Sequence, residues 1–117
     1  MLITVDPASA VPLADQVAAS VRRALIEQQI APGDRLPPAR AVADSLGINV
    51  HTVLRGYQQL RDEGLLELRR GRGAVITGQT ARGRAELSER ISELVAIARR
   101  VGLGEHDVLA MVRAGFR

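Results

Sequence analysis

The placement of proline and glycine between residues 34 and 73 leaves this chain few ways to fold. Pro37-Pro38 forbid helix until about Ala39, because the ring removes a backbone donor and biases the preceding residue away from the helical region. Gly47 then stops a short helical pattern, Ala39 to Leu46, in which Val42 and Leu46 face inward. Asn49 is suited to cap a further helix running to about Glu63, with Val50, Val53, Leu54, Tyr57 and Leu60 as its buried stripe and Gly64 as its stop. Beyond it, Leu66 and Leu68 alternate with Glu67 and Arg69, and Val75 and Thr77 with Ile76. Two short strands therefore flank the Gly71-Arg72-Gly73 turn.

The remaining segments are read in the same way. Pro12 opens a first helix with Leu13, Val17, Val21, Leu25 and Ile30 at helical spacing, and Pro32-Gly33 stops it. Arg35-Leu36 is expected to form a short strand. Gln79-Thr80 reads as a hinge, and from about Ala81 to Val101 a long amphipathic helix carries Leu87, Ile91, Leu94, Ala98 and Val101 on one face. Gly102 and Gly104 break it before a last helix from Glu105 to Arg113 with Val108, Leu109 and Val112. The expected fold is mainly α with a small β-hairpin wing: a winged helix-turn-helix over residues 1–78, followed by a two-helix C-terminal segment over residues 79–117.

Composition narrows what such a fold can do. One Phe, one Tyr and no Trp make the core aliphatic and nearly exclude base stacking on aromatic platforms, which disfavours single-stranded nucleic acid. With no cysteine there is neither a disulfide nor a thiolate metal site. The first residues lack a positive region and a long apolar run, so a cytoplasmic, soluble protein with no membrane partner is expected. All 16 basic residues are Arg, the side chain best suited to bidentate contacts with phosphate and guanine. Residues 35–73 hold seven of them against four acids, a local excess of three positive charges.

Two short helices joined at a glycine, then an arginine-tipped hairpin, is the layout of a winged helix-turn-helix that reads DNA. The second helix enters a major groove, and the hairpin reaches the neighbouring backbone or minor groove. Opposite the apolar stripe of that second helix stand His51, Thr52 and Arg55 near its N-terminal end, where base edges come within reach. Arg55 could pair with guanine, and Asn49 or His51 could contact a base or phosphate. In the hairpin, Gly71 and Gly73 permit positive φ and close approach to a phosphate, while Arg69, Arg70 and Arg72 supply charge. Arg40 falls in the first turn of its helix, beside the DNA backbone in such a fold. An ion pair with Asp44 at i,i+4 is its alternative.

These residues resemble the GntR family of bacterial transcription regulators over Leu13 to Thr77. The pieces that carry the resemblance are Pro12-Leu13, Pro32-Gly33-Asp34-Arg35-Leu36-Pro37, Arg40, Leu46-Gly47, Thr52-Val53, Glu63-Gly64-Leu65-Leu66 and Gly71-Arg72-Gly73. Asn49, His51-Thr52 and Arg55-Gly56-Tyr57 are most similar to the short YtrA-type subfamily. Three departures stand out. Pro38-Ala39 occupy the place where many members have Ser-Glu, and His51 stands where the subfamily commonly has Asn. Val50 and Leu54 stand where larger relatives often carry arginines, so the base contacts of those arginines do not transfer.

Only 38 residues follow Gln79, too few to wall off a typical small-molecule pocket alone. A helix from Ala81 to Val101 would span roughly 30 Å and leave an aliphatic face in need of a partner. The same face of a second subunit would satisfy it with two-fold symmetry, which makes Leu87, Ile91, Leu94, Ala98, Val101, Leu109 and Val112 candidate dimer contacts; folding back of the stripe on its own winged domain is the alternative. The resemblance implies the same arrangement, and an inverted-repeat operator on double-stranded DNA suits it. Any small-molecule effector would have to bind at that interface or near Gln79. His51 and His106 lack companions for a metal site, and no nucleophile–base pair or phosphate-binding loop is present, so neither cofactor nor enzymatic activity is expected. The expected function is sequence-specific DNA binding by a homodimeric transcription regulator, most simply a repressor. A protein-interaction adaptor that uses the winged fold without DNA is the competing class.

Overall fold

The computed structural model describes residues 3–77 and 81–117. In chain order the elements are α1 (Leu13–Ile26), α2 (Ala39–Leu46), α3 (Val50–Asp62), β1 (Leu66–Arg69), β2 (Gly73–Ile76), α4 (Ala81–Val101) and α5 (Glu105–Gly115). They fall into two compact units, Met1–Leu87 and Ser88–Arg117. The hinge read at Gln79-Thr80 lies outside the described residues.

In the first unit, α1 and α3 pack through Val17, Val21 and Leu25 on one side and Val53, Tyr57 and Leu60 on the other, all buried. The helices approach closely because α3 carries a glycine at the crossing. A Cβ on Gly56 would stand 2.9 Å from the Ala14 carbonyl oxygen and 3.0 Å from Val17 Cγ1. Polar contacts lock the same pair. The Arg22 guanidinium donates to both carboxylate oxygens of Glu63 (Nη2 to Oε2, 2.9 Å), and Gln59 Nε2 donates to Asp15 Oδ1 at 2.7 Å. Glu63 closes α3, and its carbonyl oxygen accepts from Arg84 Nη1 at 3.1 Å, while Ala85 of α4 is fully buried in this unit.

Helix α1 ends at Ile26, six residues before Pro32-Gly33, so that pair is not its stop. Gln28 takes φ 61°, and the amides of Gln29 and Ile30 turn back to the Ala24 carbonyl at 2.8 and 3.4 Å. Ile30 is buried as expected, but from this turn and not from the helix. Gly47 does terminate α2, at φ 68°. The Asn49 side-chain oxygen accepts from the His51 amide at 2.8 Å and caps α3. Of the predicted α3 stripe, Val53, Tyr57 and Leu60 are buried and Val50 partly so, but Leu54 is 40% exposed. It lies about 100° around the helix from Val53, beyond the arc that α1 and the sheet cover.

The hairpin β1–β2 is antiparallel, with Leu66 opposite Ile76 and Arg69 opposite Gly73. The short strand expected at Arg35-Leu36 is a single bridge, Arg35 to Val75, extended by Leu36 N–H to the Ala74 carbonyl (2.9 Å) and Ile76 N–H to the Asp34 carbonyl (2.8 Å). Helices α2 and α3 with the Gly47 turn form the helix-turn-helix, and β1–β2 is its wing. An extended segment before α1 completes the unit: Ile3 enters the core, and the buried Ser20 hydroxyl donates to the Thr4 carbonyl (2.9 Å) while accepting from its amide (3.2 Å).

Tyr57 offers a direct probe of this packing. Its hydroxyl donates to the Pro37 carbonyl at 2.6 Å, and burial pushes its ionisation up to about 12 from 10.0. The folded state thus favours the neutral phenol. That contribution is complete below pH 10 and is lost as pH rises towards 12, a change of roughly 2–3 kcal/mol. Tyr57 is the only tyrosine and there is no tryptophan, so tyrosinate absorbance reads this one residue. The folded protein is expected to titrate about two pH units above the unfolded chain. A midpoint at the ordinary tyrosine value would contradict the burial.

The second unit comprises α4 from Ser88 onward and α5. Gly102 at φ 80° and the Leu103 amide, bonded to the Ala98 carbonyl at 2.9 Å, end α4. Asp107 accepts from the Gly104 amide at 3.3 Å at the start of α5, which runs to Gly115, two residues past the expected end. Ala98 is buried, but Ile91, Leu94, Val101, Leu109 and Val112 are exposed, as are Val95 and Met111 off the predicted stripe.

Candidate nucleic-acid interface

The candidate reading surface is the exposed arc of α3 with the wing beside it. The Asn49 cap leaves His51 and Arg55 exposed in the first two turns, with Thr52 half-buried between them. Among the described residues, Arg55 Nη2 makes only a long contact to Thr52 Oγ1, 3.5 Å, which leaves its exposed guanidinium available to a ligand. Asn49 commits its side-chain oxygen to the cap, which leaves its amide nitrogen as the group able to donate outward.

Two grooves flank this arc. Thr52, Arg55, Gln58 and Asp62 line one, against Pro12 and Leu13 at the start of α1. Leu54 opens into the other, between α3 and the wing, with Pro37, Pro38, Leu68, Arg70 and Arg72 around it. The side chains at 54 and 55 thus serve different sides of one helix.

At the wing tip, the Arg72 amide closes the turn on the Arg69 carbonyl at 3.1 Å, with Gly71 at φ 79° and Gly73 at φ 74°. Both conformations are unfavourable for a side chain bearing a Cβ. Nothing lies within 4 Å of a Cβ placed on Gly71, so the tip is open for close approach. Arg69 is held by Glu67 at 2.7 Å, whereas Arg70 and Arg72 are exposed and form no ion pair among the described residues. Arg40 is exposed in the first turn of α2 and forms no ion pair with Asp44 among the described residues. The surface therefore presents Arg40, Arg55, Arg70 and Arg72 outward, suited to an extended polyanion.

Sequence reasoning missed Leu54 as an exposed residue of this surface. It also missed the contacts that orient α3: Gly56, the Arg22–Glu63 pair and the Arg84 bond to the Glu63 carbonyl. The Gly56 signal was present as a glycine inside a helical pattern, which often marks a close backbone approach. No described helix is long and apolar enough to cross a membrane.

Comparison with known proteins agrees with the winged helix-turn-helix fold. Residues 13–76 match the family model for bacterial regulatory proteins, gntR family. The HTH-type transcriptional repressor YtrA of Bacillus subtilis is 34% identical over 76 residues, 65% of this chain and 58% of that protein. The HTH-type transcriptional regulator Rv1152 of Mycobacterium tuberculosis is 31% identical over 107 residues, 92% of this chain and 88% of that protein. Among solved structures, YtrA from Sulfolobus acidocaldarius, a GntR-family transcription factor, is similar at 30% identity and a TM-score of 0.64, covering 82% of this chain and 99% of that one. The chain thus spans under two thirds of the Bacillus protein and most of the mycobacterial one. All three names are those of transcription regulators, not enzymes.

Proposed function

Because the chain belongs to the GntR family of bacterial regulatory proteins, we propose that it is a homodimeric repressor that binds an inverted-repeat operator in double-stranded DNA through α3 and the wing. The observation that carries this reading is the pairing of a capped, outward-facing helix with a wing tip whose Arg70 and Arg72 are exposed and form no ion pair among the described residues. Asn49, His51, Thr52 and Arg55 address base edges and nearby phosphates, while Arg70, Gly71, Arg72 and Gly73 follow the adjacent backbone or minor groove. Arg40 supports the phosphate contacts from α2. Repression is favoured by the name of the Bacillus relative.

Dimerisation is supported by the second unit, which exposes Ile91 at 49%, Leu94 at 39%, Val101 at 63% and Leu109 at 50%. Aliphatic surface of this kind gains about 25 cal/mol per Å² when covered. Leu87, Ala98 and Val112 belong to the same proposed interface, and two-fold pairing suits two half-sites one helical turn apart.

Arg55 separates specific from general binding. Arg55→Ala is expected to weaken operator binding by about 1–3 kcal/mol and to relax discrimination at one base position. The check is a binding series over operator duplexes varied one base at a time. Equal losses on operator and random duplexes would make Arg55 a phosphate contact only.

A further inference from the structure

We propose that Leu54 is a specificity-determining residue that packs against the C5-methyl group of a thymine in the major groove; the inference rests on the DNA-binding reading above. Six side chains of α3 are exposed: His51, Leu54, Arg55, Gln58, Arg61 and Asp62. Leu54 is the only apolar one among them, at 40% exposure.

Its surroundings identify the occupant. Leu54 opens into the cleft between α3 and the wing, where Leu68, Pro37 and Pro38 give further apolar surface and Arg35, Arg69, Arg70 and Arg72 outnumber the one acid, Asp34. Tyr57 lines the same cleft, but its hydroxyl is committed to the Pro37 carbonyl at 2.6 Å. The cleft therefore combines an apolar wall with a cationic edge, which matches a strand whose phosphates meet arginine while an apolar group turns inward. In the major groove, thymine alone presents a methyl group; cytosine offers only a C–H at the same position. An aliphatic side chain on the reading helix thus favours thymine and leaves the polar edge of any other base unsatisfied.

The test uses the full chain and a duplex that the wild-type protein selects from random-sequence DNA. Each thymine of that duplex is replaced in turn by 2′-deoxyuridine, which removes the methyl group and keeps the base pair. For the wild type, one thymine per half-site should be sensitive, with affinity falling about fourfold, the factor for burying one methyl group. Leu54→Ala should bind the unmodified duplex more weakly and show no step at that thymine. Leu68→Ala, truncated on the wing side of the cleft, should keep the step. A flat scan for the wild type, an unchanged step in Leu54→Ala, or loss of the step in Leu68→Ala alone would each overturn the assignment of Leu54. Failure to select any saturably bound duplex would instead remove the DNA-binding reading, and this inference with it.

Discussion

Replacing Leu94 with Arg is expected to turn the proposed dimer into a monomer and to cut affinity for an inverted-repeat duplex by two to four orders of magnitude. Leu94 is 39% exposed on α4, so a charged side chain there is solvated in the isolated chain and the fold should survive. In a two-fold interface the residue occurs twice. Each copy loses the burial of the 39% of Leu94 left exposed in the isolated chain, roughly 1 kcal/mol, and adds an unpaired guanidinium that must be desolvated. Once the subunits separate, the second half-site no longer binds at the high effective concentration that linkage provides, which is commonly worth 10²–10⁴ in affinity. Sedimentation gives the oligomeric state. Binding to a single half-site duplex supplies the control, since Leu94 is remote in sequence from the contacts proposed on α3. A variant that remains dimeric would place the interface elsewhere.

The second large effect is on folding. Gly56→Val should destabilise the protein by about 3 kcal/mol, the upper part of the range for overpacking a core. The crossing of α1 and α3 leaves 2.9 Å to the Ala14 carbonyl oxygen and 3.0 Å to Val17 for the first added carbon, before either γ-methyl is placed. The two helices must separate, which also loosens Val53 and Leu60 and strains the Arg22–Glu63 and Asp15–Gln59 contacts. For a domain of this size the melting temperature should fall by roughly 10–20 °C. A shift of only a degree or two would mean that the helices re-pack without cost. Because Gly56 faces away from the exposed arc of α3, any loss of DNA affinity should follow the loss of folded protein.

How far the sequence disclosed this arrangement depends on whether each signal was local. Gly47, the Asn49 cap, Gly64 and the Gly71-Arg72-Gly73 turn act through backbone conformation within a few residues, and they appear where residue type alone places them. The outward positions of His51 and Arg55 were legible for the same reason, since they oppose a stripe of apolar residues. Leu54 was not legible. Helical spacing admits it to the buried stripe as readily as Val53, and only the position of α1 decides which flank is covered. Spacing alone admits Ile30 to the first helix, whereas Gln28 reverses the chain before reaching it. Arg22 and Glu63 are 41 positions apart, and Thr4 and Ser20 are 16 apart. No periodic pattern links such residues, because their meeting follows from packing and not from local preference. The breadth of the apolar surface on the second unit was likewise underestimated, since Val95 and Met111 fall outside a single stripe.

The central claim is that this surface distinguishes one DNA sequence from others. The direct measurement is wild-type affinity for a duplex selected from the source genome, set against a scrambled duplex of equal length and composition at about 0.15 M salt, near physiological ionic strength. The account predicts a saturable complex on the selected duplex, at least about 10³-fold tighter than on the scrambled one. Equal affinity for the two, falling together as salt rises, would contradict it.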